Sequence, residues 1–310
     1  MSESQTNKSP TVDGLQEISE MARERREKVT EGLEATQPDF ILEVLQSEVR
    51  IVLHPPMGLP FTEIDPTDLA HRMEDTYGST VGPIDLGPLL QQTGREELAK
   101  ISMDDALKRL VKLQNGHVVL RFAGGKFPVK YDFVPLISTV IDFESILVRA
   151  SGTSSVAELV GQEVAEMVWA SAGAEKRWTE IQSKLQLVGY ATATKVDLGF
   201  PVEKLVSADL DKFFTEQVLA GEKFAGAMGD RSYRHNYRPS REFFGNVHLD
   251  ELHMRVKKYD PLTGDSDTFM VKFSVMARGD YGRGLVRITS ELPYDTHVHF
   301  VKLLREYVHN

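Results

Sequence analysis

Three stretches near the C-terminus alternate with a period of two residues. In "LDELHMRVKKYD" Leu252, Met254 and Val256 stand against His253, Arg255 and Lys257, and in "TFMVKFSVMAR" Phe269, Val271, Phe273 and Val275 stand against Met270, Lys272, Ser274 and Met276. "GLVRITSEL" supplies a third run. Successive strand side chains point to opposite faces, so each run builds a sheet with one apolar and one polar face. The connectors "PLTGDSD" and "GDYGRG" are rich in turn residues, and the expectation is a three-stranded antiparallel meander whose dry face needs a cover. The closing "DTHVHFVKLLREYV" places Phe300, Leu303, Leu304, Tyr307 and Val308 at helical spacing, which predicts an amphipathic helix lying across that face.

Upstream, helix and strand signals are mixed. "VRIVLHPP" reads as a strand stopped by prolines. Asp65 followed by Pro66 reads as a helix cap and first position, and Ser102 with Asp105 as a box-like start for a helix carrying Leu107, Leu110 and Val111. "HVVLRFAGGKFPVKYDF" has two extended runs around Gly124-Gly125, the wording of a tight hairpin. "LISTVIDFESILVRA" is rich in β-branched residues and reads as strand. From Ser155 and Glu158, at capping-box spacing, a helix should run with Val156, Leu159, Val160, Val164, Met167 and Val168 on its apolar face, broken at "SAGAE" before "WTEIQSKLQLVGY". "ATATKVDLGF" reads as a strand and "SADLDKFFTEQVLAGEKF" as a helix. The fold class is therefore α+β: an antiparallel C-terminal meander backed by a C-terminal helix, with further helices and strands in one body or two packed lobes.

Residues 1–37 read as a flexible N-terminal arm. The first eleven are polar and without apolar period, and the charged "RERREK" lies in a helical stretch whose apolar stripe, Leu15, Ile18, Met21 and Ala22, is short. Residues 38–310 make the body, with a lobe boundary expected near 215–245.

Charge limits the partners. Lys and Arg number 36 against 46 Asp and Glu, a formal net charge of −10, and such a molecule repels polyanions, so general coating of nucleic acid is not expected. There is no cysteine, which excludes disulfide scaffolds, thiolate metal sites and a cysteine nucleophile. No apolar run approaches the roughly 18 residues a spanning helix requires, so a cytoplasmic protein without membrane attachment is expected.

Against that acidic background, 230–244 reads "DRSYRHNYRPSREFF". Arg231, Arg234, Arg238 and Arg241 alternate with tyrosine, histidine and asparagine, and Gly226, Gly229 and Pro239 mark the region as mainly loop. Guanidinium groups grip carboxylate or phosphate in planar, two-point fashion, and tyrosine can stack on or donate to the same anion. Arg231, Arg234, His235, Tyr237, Arg238 and Arg241 are accordingly the expected ligand-binding set.

Histidines give a second chemistry to weigh. His248, Asp250, Glu251 and His253 form one group and Asp295, His297 and His299 another, a composition that suits a metal-dependent hydrolase. The spacing is only half favourable, because on a strand His248 and Asp250 face away from Glu251 and His253, and on a helix His297 and His299 diverge. Ordinary surface histidines are the default, with no metal and no cofactor expected. "RFAGGKF" is too short for a phosphate loop, and Asp142, Glu144 and Asp197 lack the Glu-x-Lys element of an acid–acid–lysine nuclease. Met270 and Met276, on the polar side of the meander, hint at a contact surface. The expected function is a non-catalytic binding or adaptor protein for an acidic peptide or phosphorylated ligand; the alternatives are the hydrolase and a structural homo-oligomer.

Overall fold

The computed structural model describes residues 24, 26–27, 37–53, 59–60, 63–113, 118–129, 133–174, 176–200, 202–205, 251–259, 266–276 and 284–309. The fold is α+β, and among the described residues it has ten strands, antiparallel in every pairing given below, and seven α-helices. Two compact units are present: residues 1–37 with 46–191, and residues 38–45 with 192–310. The boundary expected near 215–245 falls on residues outside those described.

In the first unit the strand order is β2-β3-β5-β6-β1, with β4 also pairing β5. Here β1 is Ile41–Leu53, β2 Thr80–Val81, β3 Leu120–Ala123, β4 Lys126–Pro128, β5 Phe133–Ile141 and β6 Ser145–Ala150. The sequence places a strand only in the last part of the first run; the strand is 13 residues long. Val49 and Ile51 of β1 face Val148 and Ile146 of β6, and these four side chains are sealed from water. The helices are α1 (Pro66–Tyr77), α2 (Gly87–Thr93), α3 (Arg95–Leu98), α4 (Met103–Leu113), α5 (Ser154–Ser171) and α6 (Trp178–Ile181).

The two helix starts read from sequence are built as expected. The Asp65 carboxylate accepts from the Thr67 and Asp68 amides with Pro66 at the first turn, and Ser102 Oγ accepts from the Asp105 amide at 3.1 Å. Each cap satisfies donors that the first helical turn leaves unpaired. The start of α5 differs: Thr153 is the cap residue and Ser155 lies inside the helix, so the Ser155/Glu158 box does not form. Val156, Val160, Val164 and Val168 are fully buried along one side of α5, each contributing about 1.5 kcal/mol of burial. Gly161 lets this helix approach the sheet closely, since a Cβ there would lie 2.8 Å from Ile51 Cδ1. "LQLVGY" is strand, not the end of the helical stretch: β7 runs Leu185–Asp197.

Gly124-Gly125 is not the expected hairpin turn. β3 pairs with residues 138–141 of β5 and β4 with residues 133–135 of the same strand, both in one register: Ala123 opposes Ser138 and Lys126 opposes Pro135. The two glycines are a break within one long partner of β5, bridged by Gly124 N–H to Ile137 O and Leu136 N–H to Gly125 O. The reversal comes after Pro128. What demands glycine is tertiary: Gly125 has φ +121°, and a Cβ there would stand 2.4 Å from Ser79 Oγ, which itself donates to Gly124 O.

In the second unit the order is β7-β10-β9-β8, with β8 Glu251–Tyr259, β9 Ser266–Val275 and β10 Leu285–Ser290. The meander forms as the alternation dictates, with Ile288 opposite Phe273 and Met254 opposite Val271. Helix α7 (Tyr294–His309) covers its dry face, where Val301 is fully buried and Phe300 meets Phe269 edge-on at 6.3 Å. Of the expected stripe Phe300, Leu304 and Val308 pack against the apolar cluster of the sheet, and Leu303 and Tyr307 do not. His297 and Val301 are sealed, whereas Leu303 is 50% and Tyr307 84% exposed. Met276 is exposed, but Met270 is half-buried and its amide donates to Glu291. The helix expected within "SADLDKFFTEQVLAGEKF" lies outside the described residues.

Candidate functional site

The expected ligand set, Arg231, Arg234, His235, Tyr237, Arg238 and Arg241, lies outside the described residues, as do His248 and Asp250. The remaining histidines of the two groups, His253, His297 and His299, are in the second unit. His253 is exposed on β8, 3.3 Å from Glu251, which also pairs with Lys272 at 2.7 Å. His299 is exposed. His297 is turned into the core, with Nε2 2.7 Å from Thr194 Oγ1 and Nδ1 2.7 Å from Ser290 Oγ. Both ring nitrogens are thus engaged, which leaves no lone pair for a metal, and burial holds the imidazole pKa down at about 4. Among the described residues no group of three or more His, Asp or Glu gathers as a metal site requires.

Of the three acids weighed for a nuclease, Asp142 and Asp197 are occupied in turns. Asp142 accepts from the Glu144 and Ser145 amides and the Ser145 hydroxyl, closing the link between β5 and β6, and Asp197 accepts from the Gly199 amide at 2.8 Å. These are local turn bonds that Asp makes readily.

Two clusters of chemical interest in the first unit were not anticipated. The first centres on Glu163 of α5, 7% exposed on an otherwise apolar side of the helix. Arg26 reaches it with Nε to Oε1 at 2.9 Å and Nη2 to Oε2 at 2.8 Å, and the Tyr77 hydroxyl donates to Oε2 at 2.5 Å. Arg26 also lies over the Phe127 ring, 5.8 Å from its centre. Burial, then the Glu163 charge, pushes the Tyr77 hydroxyl well above the usual tyrosine range, and the Glu163 hydrogen bond raises the Arg26 pKa. The network therefore holds one proton on Tyr77 and a full positive charge on Arg26. A signal existed in the sequence: Glu163 is charged where a period of 3.6 from Val156 and Val160 calls for an apolar residue.

The second is a pair of ammonium groups on one indole. Lys176 Nζ stands 4.0 Å and Lys184 Nζ 5.5 Å from the centre of the Trp169 ring. Loss of hydration, followed by the adjacent Lys176 charge, lowers the Lys184 pKa. The ring face attracts both cations, and their mutual repulsion opposes it. Both lysines flank the short helix α6, and "EKRWTEIQSK" announces charge without announcing that two of its lysines share a ring.

Compared with family models, curated proteins and solved structures, the chain matches none. No helix among the described residues is long and apolar enough to cross a membrane.

Proposed function

We propose that the protein is a non-catalytic binding or adaptor protein that holds an anionic partner, an acidic peptide or a phosphorylated ligand, through Arg231, Arg234, His235, Tyr237, Arg238 and Arg241. One observation carries this reading: four arginines and two tyrosines fall between positions 231 and 241 of a chain whose net charge is −10. Guanidinium groups so crowded repel one another, and an anion bound between them removes that repulsion while accepting several charge-assisted hydrogen bonds. The tyrosines add planar apolar area and hydroxyl donors at little entropic cost. The net negative charge of the rest of the molecule disfavours long polyanions and favours a short, locally charged ligand.

The test is titration of the full-length protein with a fluorescent glutamate-rich peptide and with the same peptide carrying phosphoserine, at several salt concentrations. Arg234→Ala and Arg238→Ala should each weaken binding about tenfold, the worth of a charge-assisted hydrogen bond, and affinity should fall steeply with salt. Affinity unchanged in the double variant sinks the reading.

A further inference from the structure

In the first unit the Arg26 guanidinium is held by three side chains that come from a distant region of the chain. Glu163 on α5 supplies a carboxylate, Tyr77 at the end of α1 orients it through the hydroxyl bond to Oε2, and Phe127 on β4 lends a ring. All three are buried, at 7%, 3% and 0% exposure. Their positions follow from helix and strand packing within residues 66–171. Arg26 lies 137 residues from Glu163 and presents its edge to the carboxylate in a parallel, two-point contact.

That geometry is selective. A guanidinium offers two coplanar N–H groups matched to a carboxylate and a flat face for an aromatic ring, whereas an ammonium is a point charge that satisfies one oxygen at a time. We infer that Glu163, Tyr77 and Phe127 form a guanidinium-binding site which the N-terminal segment fills through Arg26, and for which an arginine side chain on a peptide competes. The inference is independent of the anionic partner proposed above, which concerns other residues and the opposite charge. Binding here involves exchange of one arginine for another and no chemical step.

Chemical rescue of the full-length Arg26→Ala variant tests it. The variant should melt several degrees below the parent, and N-ethylguanidinium at millimolar concentration should restore about 3 °C in a saturable manner. Ethylammonium should restore nothing beyond its ionic-strength effect, and Arg26→Ala combined with Glu163→Gln should be insensitive to both. A labelled acetyl-arginine amide should bind Arg26→Ala at least about tenfold more tightly than the parent, since the parent's site is already filled. Equal rescue by ethylammonium, absence of saturable rescue, or rescue that survives Glu163→Gln overturns the assignment. If Arg26→Ala does not fold, Arg26→Lys keeps the charge without the fork and must show the same selective rescue, or the assignment fails.

Discussion

Glu163 in the first unit and His297 in the second are both titratable groups sunk into an apolar setting, and they are accommodated by opposite means. Glu163 is met by a charge, Arg26, and a phenol, Tyr77. His297 is met by two hydroxyls, Thr194 and Ser290, with no ionic partner among the described residues, and is kept neutral. A buried ionised group needs a counter-charge with its remaining lone pairs filled, while a neutral imidazole needs only one donor and one acceptor. The first solution ties a distant stretch of chain to the unit. The second is confined to three elements, β7, β10 and α7.

The largest effect should come from breaking the ionic solution. Arg26→Ala leaves the Glu163 charge without its partner; a buried pair broken in this way costs about 3–5 kcal/mol, and the lower figure is expected because the Arg26 side chain is a third exposed. Chemical denaturation of the parent and the variant measures it, and a loss below about 1 kcal/mol would place this contact among ordinary surface pairs. Next comes acid titration of the neutral solution. The folded pKa of His297 is about 4, below its ordinary value near 6.5, so between those values the unfolded chain binds the additional proton. The stability contributed by keeping His297 neutral is therefore complete above pH 6.5 and is lost as pH falls towards 4, up to about 3 kcal/mol. Denaturation midpoints taken across that window should show this slope, and His297→Leu should lack it. The smallest effect is Thr194→Val, which removes one hydroxyl at nearly constant volume and should cost about 1 kcal/mol by leaving a ring nitrogen without its partner. A Thr194→Val loss equal to that of Arg26→Ala would erase the distinction between the two solutions.

The same contrast explains which features were legible before the structure. The meander was, because period-two alternation in Met254, Val271, Phe273 and their neighbours leaves only one pairing that dries one face. The caps at Asp65 and Ser102 were legible because a cap is a contact within three residues. Gly124-Gly125 was misread as a turn because local wording cannot reveal Ser79, 45 residues away, pressing on that backbone. Part of the stripe of α7 was misplaced for a related reason: Phe300, Leu304 and Val308 pack on the core as their spacing says, but counting Leu303 and Tyr307 with them follows hydrophobicity, and the side that is buried holds His297 instead, satisfied by Thr194 and Ser290. Of the candidate sites, the arginine stretch is read from the sequence and lies outside the described residues, whereas the sequence marks Glu163 only as a misplaced charge and the structure supplies its partners Arg26 and Tyr77.

Taken alone, the order of residues determined the strands of the C-terminal meander and the helix that follows them, where two helices begin, and that the molecule carries excess negative charge without thiols. Tertiary structure decided which polar groups are buried and with whom, because three of the four partners of Glu163 and His297 are 86, 137 and 103 residues distant and only Ser290 is near in sequence. Burial of a charge or a ring nitrogen is set by the free energy of its completed hydrogen-bond set, and that set exists only after the chain has closed on itself.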